Sequence, residues 1–501
     1  MAGLLLLAAC QGNKQSKSTA QKDSPPSGEA LPEVSDIPGM QAASSSDNLK
    51  SVLPFYQEGT IYQSLQEALL EPEKVFRIRL RGQRLQSLPL DIFRLTNLRE
   101  LDLSDNELTS LPDSFATKLN RLEILDLSYN RFSQFPDKLS LLENLGYLNL
   151  KGNLLRSLPA TIQALPNLLV LDLGENRFTE VPPVVCELNQ LKWLYLDGIP
   201  VDTLPAHFSQ LTQLRRLSLR KGRLKEVPPM LAGLSGLEEV ILSGNQIQAV
   251  GPVFNNLKQL TYLNLRANRL DSTRFLSDLP PLLHLDVSQN PFNTLPDDFF
   301  DRHRSLKALD LSHTRLEALP AGLSRCQGLV WLAIQGINLR QFPEEIGACR
   351  RLRVLYLGQH PQLLAENILG TLGEMGQLHT LKILQLNNQP LVFSSVLARL
   401  EGLVELDLKG NRLADPEALL GQLAQLPNLQ ALNLANCGVR QAHPSFQNLK
   451  SLRLLGLDLK SMPLAEVQKI PILLPPGAEV VDGTEFFSYR MMQEGGENLP
   501  E

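Results

Sequence analysis

The chain has 501 residues, 43% of them hydrophobic and only 6% aromatic, with a formal net charge of −5 at pH 7. That balance has no basic excess, which argues against a nucleic-acid partner gripped through its phosphates. No apolar run approaches the ~18–20 residues needed to cross a bilayer, so any membrane connection has to be an anchor.

The first ten residues, MAGLLLLAAC, are an apolar run ending Leu7-Ala8-Ala9-Cys10. This ending resembles a bacterial lipobox, where a lipid is attached to the Cys and the leader is removed. The resemblance implies lipidation at Cys10 and a place in the bacterial cell envelope. Gln11 after the Cys, rather than Asp, favours the outer membrane by the same analogy. Nine residues precede Cys10 and none is Lys or Arg, whereas a secretory leader opens with positive charge. The other reading is therefore a cytoplasmic protein whose apolar start carries no address. Residues 11–48 are polar, Ser- and Pro-rich and aperiodic, and they read as a disordered linker. Residues 49–74 read as an N-terminal helical cap, with 61–71 (IYQSLQEALLE) as its amphipathic helix.

From residue 75 to 459 one pattern repeats about seventeen times. Leu98 opens LRELDLSDNEL, Leu122 LEILDLSYNRF, Leu145 LGYLNLKGNLL, Leu168 LLVLDLGENRF and Leu260 LTYLNLRANRL. Successive starts are mostly 23 residues apart. The x-L-x-L-x alternation has period two, so it predicts a strand with one face buried. Stacked coils then share a leucine core and form a parallel sheet, with about 4.8 Å per rung. An Asn recurs just past the strand (Asn106, Asn130, Asn153, Asn176, Asn245, Asn268, Asn290, Asn411), where its amide can satisfy turn peptides. A proline recurs in the second half at Pro89, Pro112, Pro136, Pro159, Pro182, Pro205, Pro228, Pro296, Pro320 and Pro343, fixing φ on the return path.

These residues resemble the leucine-rich-repeat superfamily, in the 23-residue class found in Ras-suppressor-type scaffolds and many bacterial surface proteins. The resemblance implies an α/β solenoid, a horseshoe with a parallel concave sheet and an irregular or short-helical convex side. It also implies a binding role and no catalytic one.

Two coils are longer than the rest. The one from Leu352 runs 29 residues and predicts a convex helix, and the one from Leu403 runs 26, with Asp415 as N-cap and Pro416 as first helical residue. Cys326 and Cys349 share an offset in adjacent coils, as packed thiols or, in an oxidising compartment, as a disulfide. Residues 460–501 read as a C-terminal cap and tail.

An open solenoid leaves the concave sheet face free for recognition. Recurrent Asp and Ser at its x positions read as hydrated background. Trp193, Tyr195, Trp331, Tyr356, Tyr262, Arg216, Arg220 and Arg266 depart from that background and are the candidate partner-binding residues, with Tyr147 also concave. Arg77, Arg79 and Arg81 read as a solvated edge. The expected partner is a protein or peptide, with a glycan as the other ligand class, and the lipid anchor is the only membrane contact. No motif for a nucleophile, phosphate loop, metal or cofactor is present, so no catalytic residues are assigned and no cofactors are expected.

Overall fold

The structure, a computed structural model, describes residues 52–53, 59–360, 362–363, 365–386, 390–392, 396–483 and 486. Cys10 and the linker 11–48 lie outside the described residues.

Each x-L-x-L-x segment is a short strand, and nineteen strands make one open parallel sheet in which each pairs with the next. They are β1 (Ile61–Tyr62), β2 (Arg77–Arg79), β3 (Glu100–Asp102), β4 (Ile124–Asp126), β5 (Tyr147–Asn149), β6 (Val170–Asp172) and β7 (Trp193–Tyr195). Next come β8 (Arg216–Ser218), β9 (Glu239–Ile241), β10 (Tyr262–Asn264), β11 (His284–Asp286), β12 (Ala308–Asp310) and β13 (Trp331–Ala333). The last are β14 (Val354–Gly358), β15 (Thr380–Leu384), β16 (Glu405–Asp407), β17 (Ala431–Asn433), β18 (Leu454–Leu457) and β19 (Glu479–Asp482). Leu101, Leu125, Leu148 and Leu171 stack in register, which turns the period-two pattern into a continuous spine. One buried apolar cluster runs from Ala68 to Leu474. Each buried Leu stabilises it by ~1.5–3 kcal/mol.

The ladder Asn closes each coil. Asn106 Nδ2 donates to Leu80 O of the preceding coil at 2.8 Å and to Leu103 O of its own at 3.0 Å, while its Oδ1 accepts from Leu85 N at 3.0 Å. The residue before it turns left-handed, as at Asp105 (φ 57°) and Gly152 (φ 68°), and so steers the chain off the strand. Where the Asn is missing, another side chain supplies part of the set. Thr314 Oγ1 donates to Leu311 O at 2.9 Å, and Cys437 Sγ donates to Leu408 O at 3.0 Å. On the return path Pro89, Pro159 and Pro205 each precede a one-turn 3-10 helix, where a missing N–H is harmless.

The ends differ from expectation. The helix expected over 61–71 is a single turn, α1 (Leu65–Ala68), and Ile61–Tyr62 instead pair with Arg77–Ile78 as an additional rung. Arg77 is consequently internal to the sheet and not part of a solvated edge. Its Nε donates to Glu100 Oε2 at 2.7 Å, and both side chains are about nine-tenths buried. On the convex side, single turns α2 (Phe115–Lys118) and α3 (Phe299–Arg302) replace 3-10 turns. The two long coils carry the expected helices, α4 (Ala365–Leu372) and α5 (Pro416–Leu423). Asp415 Oδ1 accepts from Ala418 N at 2.9 Å, so the cap forms as its sequence predicts. After β18, α6 (Leu464–Val467) and α7 (Ile470–Leu473) lead into β19, a further rung at the C-terminal side.

Candidate functional site

The pleat sends the leucines into the spine and the residues between them onto the concave face. At the first concave position the successive side chains are Arg77, Glu100, Ile124, Tyr147, Val170, Trp193, Arg216 and Glu239. The four apolar ones, on β4 to β7, form a cluster separate from the spine, and Val52 and Leu53 of the N-terminal segment sit in it. Trp193 is only 5% exposed and Leu53 1%. Trp193 is therefore covered by the chain's own N-terminal segment, where the sequence reading has it open to solvent.

Arg216 joins this cluster from the next rung. Its guanidinium lies 4.4 Å from the Trp193 ring centre, Nη2 pairs with Glu239 Oε1 at 2.5 Å, and Nη1 donates to the Tyr195 hydroxyl at 3.3 Å. The Arg is already neutralised within the fold, a pairing that the sequence reading did not include. Burial raises the Tyr195 hydroxyl well above its usual range, outweighing the opposing pull of Arg216.

The other candidates continue along the arc, Tyr262 beside Glu239 on the adjoining strand and Trp331 and Tyr356 further on. Tyr262 packs against His284 with ring centres 6.0 Å apart, and burial pushes that imidazole down to about 4. Trp331 and Tyr356 meet edge-on at 5.5 Å in a second apolar group with Ala308, Ala333 and Val354. Lys382 Nζ lies 5.5 Å from the Tyr356 ring centre. Arg220 and Arg266 follow the strands β8 and β10. The Arg220 backbone N donates to Asp197 Oδ1 at 2.9 Å, and Arg266 has its Nη1 buried with no hydrogen-bond partner among the described residues. Trp193, Tyr195, Arg216, Arg220, Tyr262 and Arg266 thus lie on or just past the consecutive strands β7 to β10, and Trp331 and Tyr356 lie on β13 and β14. Trp193, Tyr195 and Arg216 come together, and so do Trp331 and Tyr356.

The Asp and Ser background is less hydrated than expected. Asp126 Oδ1 accepts from Ser128 N and Oγ at 2.8 and 2.6 Å, and Asp286 holds Ser288 in the same way. These carboxylates cap the strand ends. Burial raises Asp172 to about 7 and also raises Asp286 and Asp310, the latter helped by its Asp286 neighbour.

Sequence reasoning missed Val52, Leu53, Ile124 and Val170 as site residues. The signal was available in part: the first concave position is apolar on four consecutive rungs and charged on both sides of them.

Among the described residues no three His, Cys, Asp or Glu side chains converge to hold a metal ion. Cys186, Cys326, Cys349 and Cys437 are buried free thiols, and burial pushes Cys326 and Cys437 up to about 12 and Cys349 to about 11. An activated thiol would be shifted downward. The surface offers aromatic and aliphatic contact flanked by fixed charges.

Known proteins show the same architecture. The pattern described as a leucine-rich repeat region matches residues 136–239, and the leucine rich repeat pattern matches 96–155, 212–270 and 235–292. Podocan-like protein 1 of Homo sapiens is 34% identical over 199 residues, which is 39% of this chain and 36% of that protein. A probable disease resistance protein of Arabidopsis thaliana is 31% identical over 195 residues, 36% of this chain and 19% of that protein. The chain thus matches only about a third and a fifth of the length of these two relatives. The solved structure of a leucine-rich-repeat protein of Leptospira interrogans superimposes with a TM-score of 0.57 at 27% identity, covering 85% of this chain and 100% of that one. Repeat pattern, stacked register and these likenesses agree: the chain belongs to the leucine-rich-repeat superfamily.

Proposed function

We propose that the protein is a non-catalytic binding module that takes a protein or peptide partner on its concave face. A lipid on Cys10 holds it in the bacterial cell envelope, on the outer membrane side by the lipobox analogy. The observation that carries the binding role is the presence of apolar groups on the sheet's open face that are distinct from the spine. The clearest is Trp331 and Tyr356 with Ala308, Ala333 and Val354, beside Lys382. These side chains lie outside the leucine spine, and aromatic and cationic groups are the usual anchors of interfaces. The lipobox-like ending supports the anchor, and the likeness to a leptospiral protein is in keeping with a bacterial source.

The anchor is tested by Cys10→Ala, which should move the protein from the membrane to the soluble fraction and end incorporation of radiolabelled fatty acid. Wild-type protein that takes up no lipid overturns it. The binding face is tested by photo-crosslinking in the host from position 356 and from the convex position 161. One partner should crosslink from 356 only, and Trp331→Ala should remove it while circular dichroism stays unchanged. Equal yield from both positions overturns the concave assignment.

A further inference from the structure

We infer that the apolar groove across β4 to β7 is a binding site for a short apolar peptide segment, held closed by the chain's own Val52–Leu53. This rests on the partner-binding reading above and names both the ligand class and the element that competes with it. Leu53 is 1% exposed and Val52 7%, in contact with the cluster of Ile124, Tyr147, Val170 and Trp193. The occupant is itself a peptide, and its two side chains are aliphatic, as are two of the four that receive them. The charged first positions on either side, Glu100 and Arg216, are tied up in ion pairs with Arg77 and Glu239 and end the apolar stripe. The groove therefore admits about four rungs of apolar contact and no more.

Chain length limits how the segment can sit. Leu53 lies six residues before Gly59, whose carbonyl accepts from Arg77 Nη1 at 3.3 Å on β2. Six residues reach at most about 20 Å, close to four rungs of ~4.8 Å. Leu53 can reach this groove and cannot reach the Trp331 group, six rungs beyond β7. A tether this short supplies an effective concentration of about millimolar. Loss of a buried Leu weakens such an intramolecular contact by roughly ten- to a hundredfold. An incoming peptide meets a site whose open fraction is lowered by the same order.

Trp193 reports occupancy directly. In full-length protein carrying Trp331→Phe, Trp193 is the sole tryptophan. Adding Val52→Asp with Leu53→Asp should red-shift its emission and raise its quenching by acrylamide severalfold, with the melting temperature of the repeats little changed. Leu53→Met, which keeps the cover, should leave quenching low. A synthetic peptide of residues 48–58, added at about millimolar concentration, should restore protection to the Asp variant and leave the parent unaffected. Val170→Asp should block that rescue. Unchanged quenching in the Asp variant overturns the self-occupancy, and exposed Trp193 that the peptide cannot protect overturns the site. Neither readout uses a natural partner, so failure here is separable from failure of the binding role.

Discussion

The asparagine ladder predicts a specific non-additivity. Asn130 Nδ2 donates to Leu103 O of the preceding coil at 2.9 Å and to Leu127 O of its own at 3.2 Å, and its Oδ1 accepts from Leu108 N at 2.9 Å. Each leucine carbonyl is shared. Leu103 O also accepts from Asn106, and Leu127 O also accepts from Asn153 at 2.9 Å. Asn130→Ala therefore strands only the buried Leu108 N–H, while both carbonyls keep one donor. A stranded buried donor costs about 1–3 kcal/mol, and the two weakened carbonyls add about 1 kcal/mol. Asn153→Ala is equivalent and strands Phe132 N–H. Made together, the two substitutions also strip Leu127 O of both asparagine donors. The double variant should lose about 1–3 kcal/mol beyond the sum of the singles. Asn130→Ala with Asn268→Ala, which shares no carbonyl with it, should be additive within about 0.5 kcal/mol. Urea unfolding supplies the free energies. Hydrogen exchange should localise the loss to residues 98–176, because a coil contacts only its neighbours. An additive result for the adjacent pair would refute the shared-carbonyl account.

Glu100→Ala leaves Arg77 in the sheet without its carboxylate. It should destabilise by about 3 kcal/mol, little relieved by 1 M salt, since a buried pair is poorly screened; full rescue by salt would mean that the pair is solvated. Asp172 keeps its proton in the folded chain up to about 7, whereas an unfolded Asp loses it near 4. The stability it contributes is complete below about pH 4 and is lost as pH rises through 7. Asp172→Asn stays neutral throughout, so its melting temperature should fall less than that of wild type between pH 4 and 8 and exceed it at pH 8. Parallel curves would sink the assignment.

The fold was legible in the sequence because the same few residues recur at fixed offsets. Strand, ladder Asn and convex proline each have a local physical reason, and stacking repeats that reason along the chain. The two helices of the long coils were legible for the same reason, with Asp415 as the clear case. The ends were not. Ile61–Tyr62 and Glu479–Asp482 lack the repeat's leucine pattern and become strands only because an exposed sheet edge offers them hydrogen bonds. The concave candidates were legible as positions but not as environments. Trp193 could be placed on the open face from its offset, yet its cover comes from a segment some 140 residues earlier in the chain. Nor could Arg216 be seen to be neutralised, since its partner Glu239 lies a full coil away.

The pairing of every strand solely with its two neighbours has a mechanical consequence. Hydrogen bonds between rungs point along the arc, so a pull on the two ends loads them in series, like links of a zip fastener. The outermost link, the two-residue pairing of Ile61–Tyr62, is the weakest, and force should peel coils away one after another. Each freed 23-residue coil pays out about 75–80 Å of chain. Stretched between a surface and a moving partner, such a molecule would yield gradually and rewind when slack returns, behaving as an extensible cord.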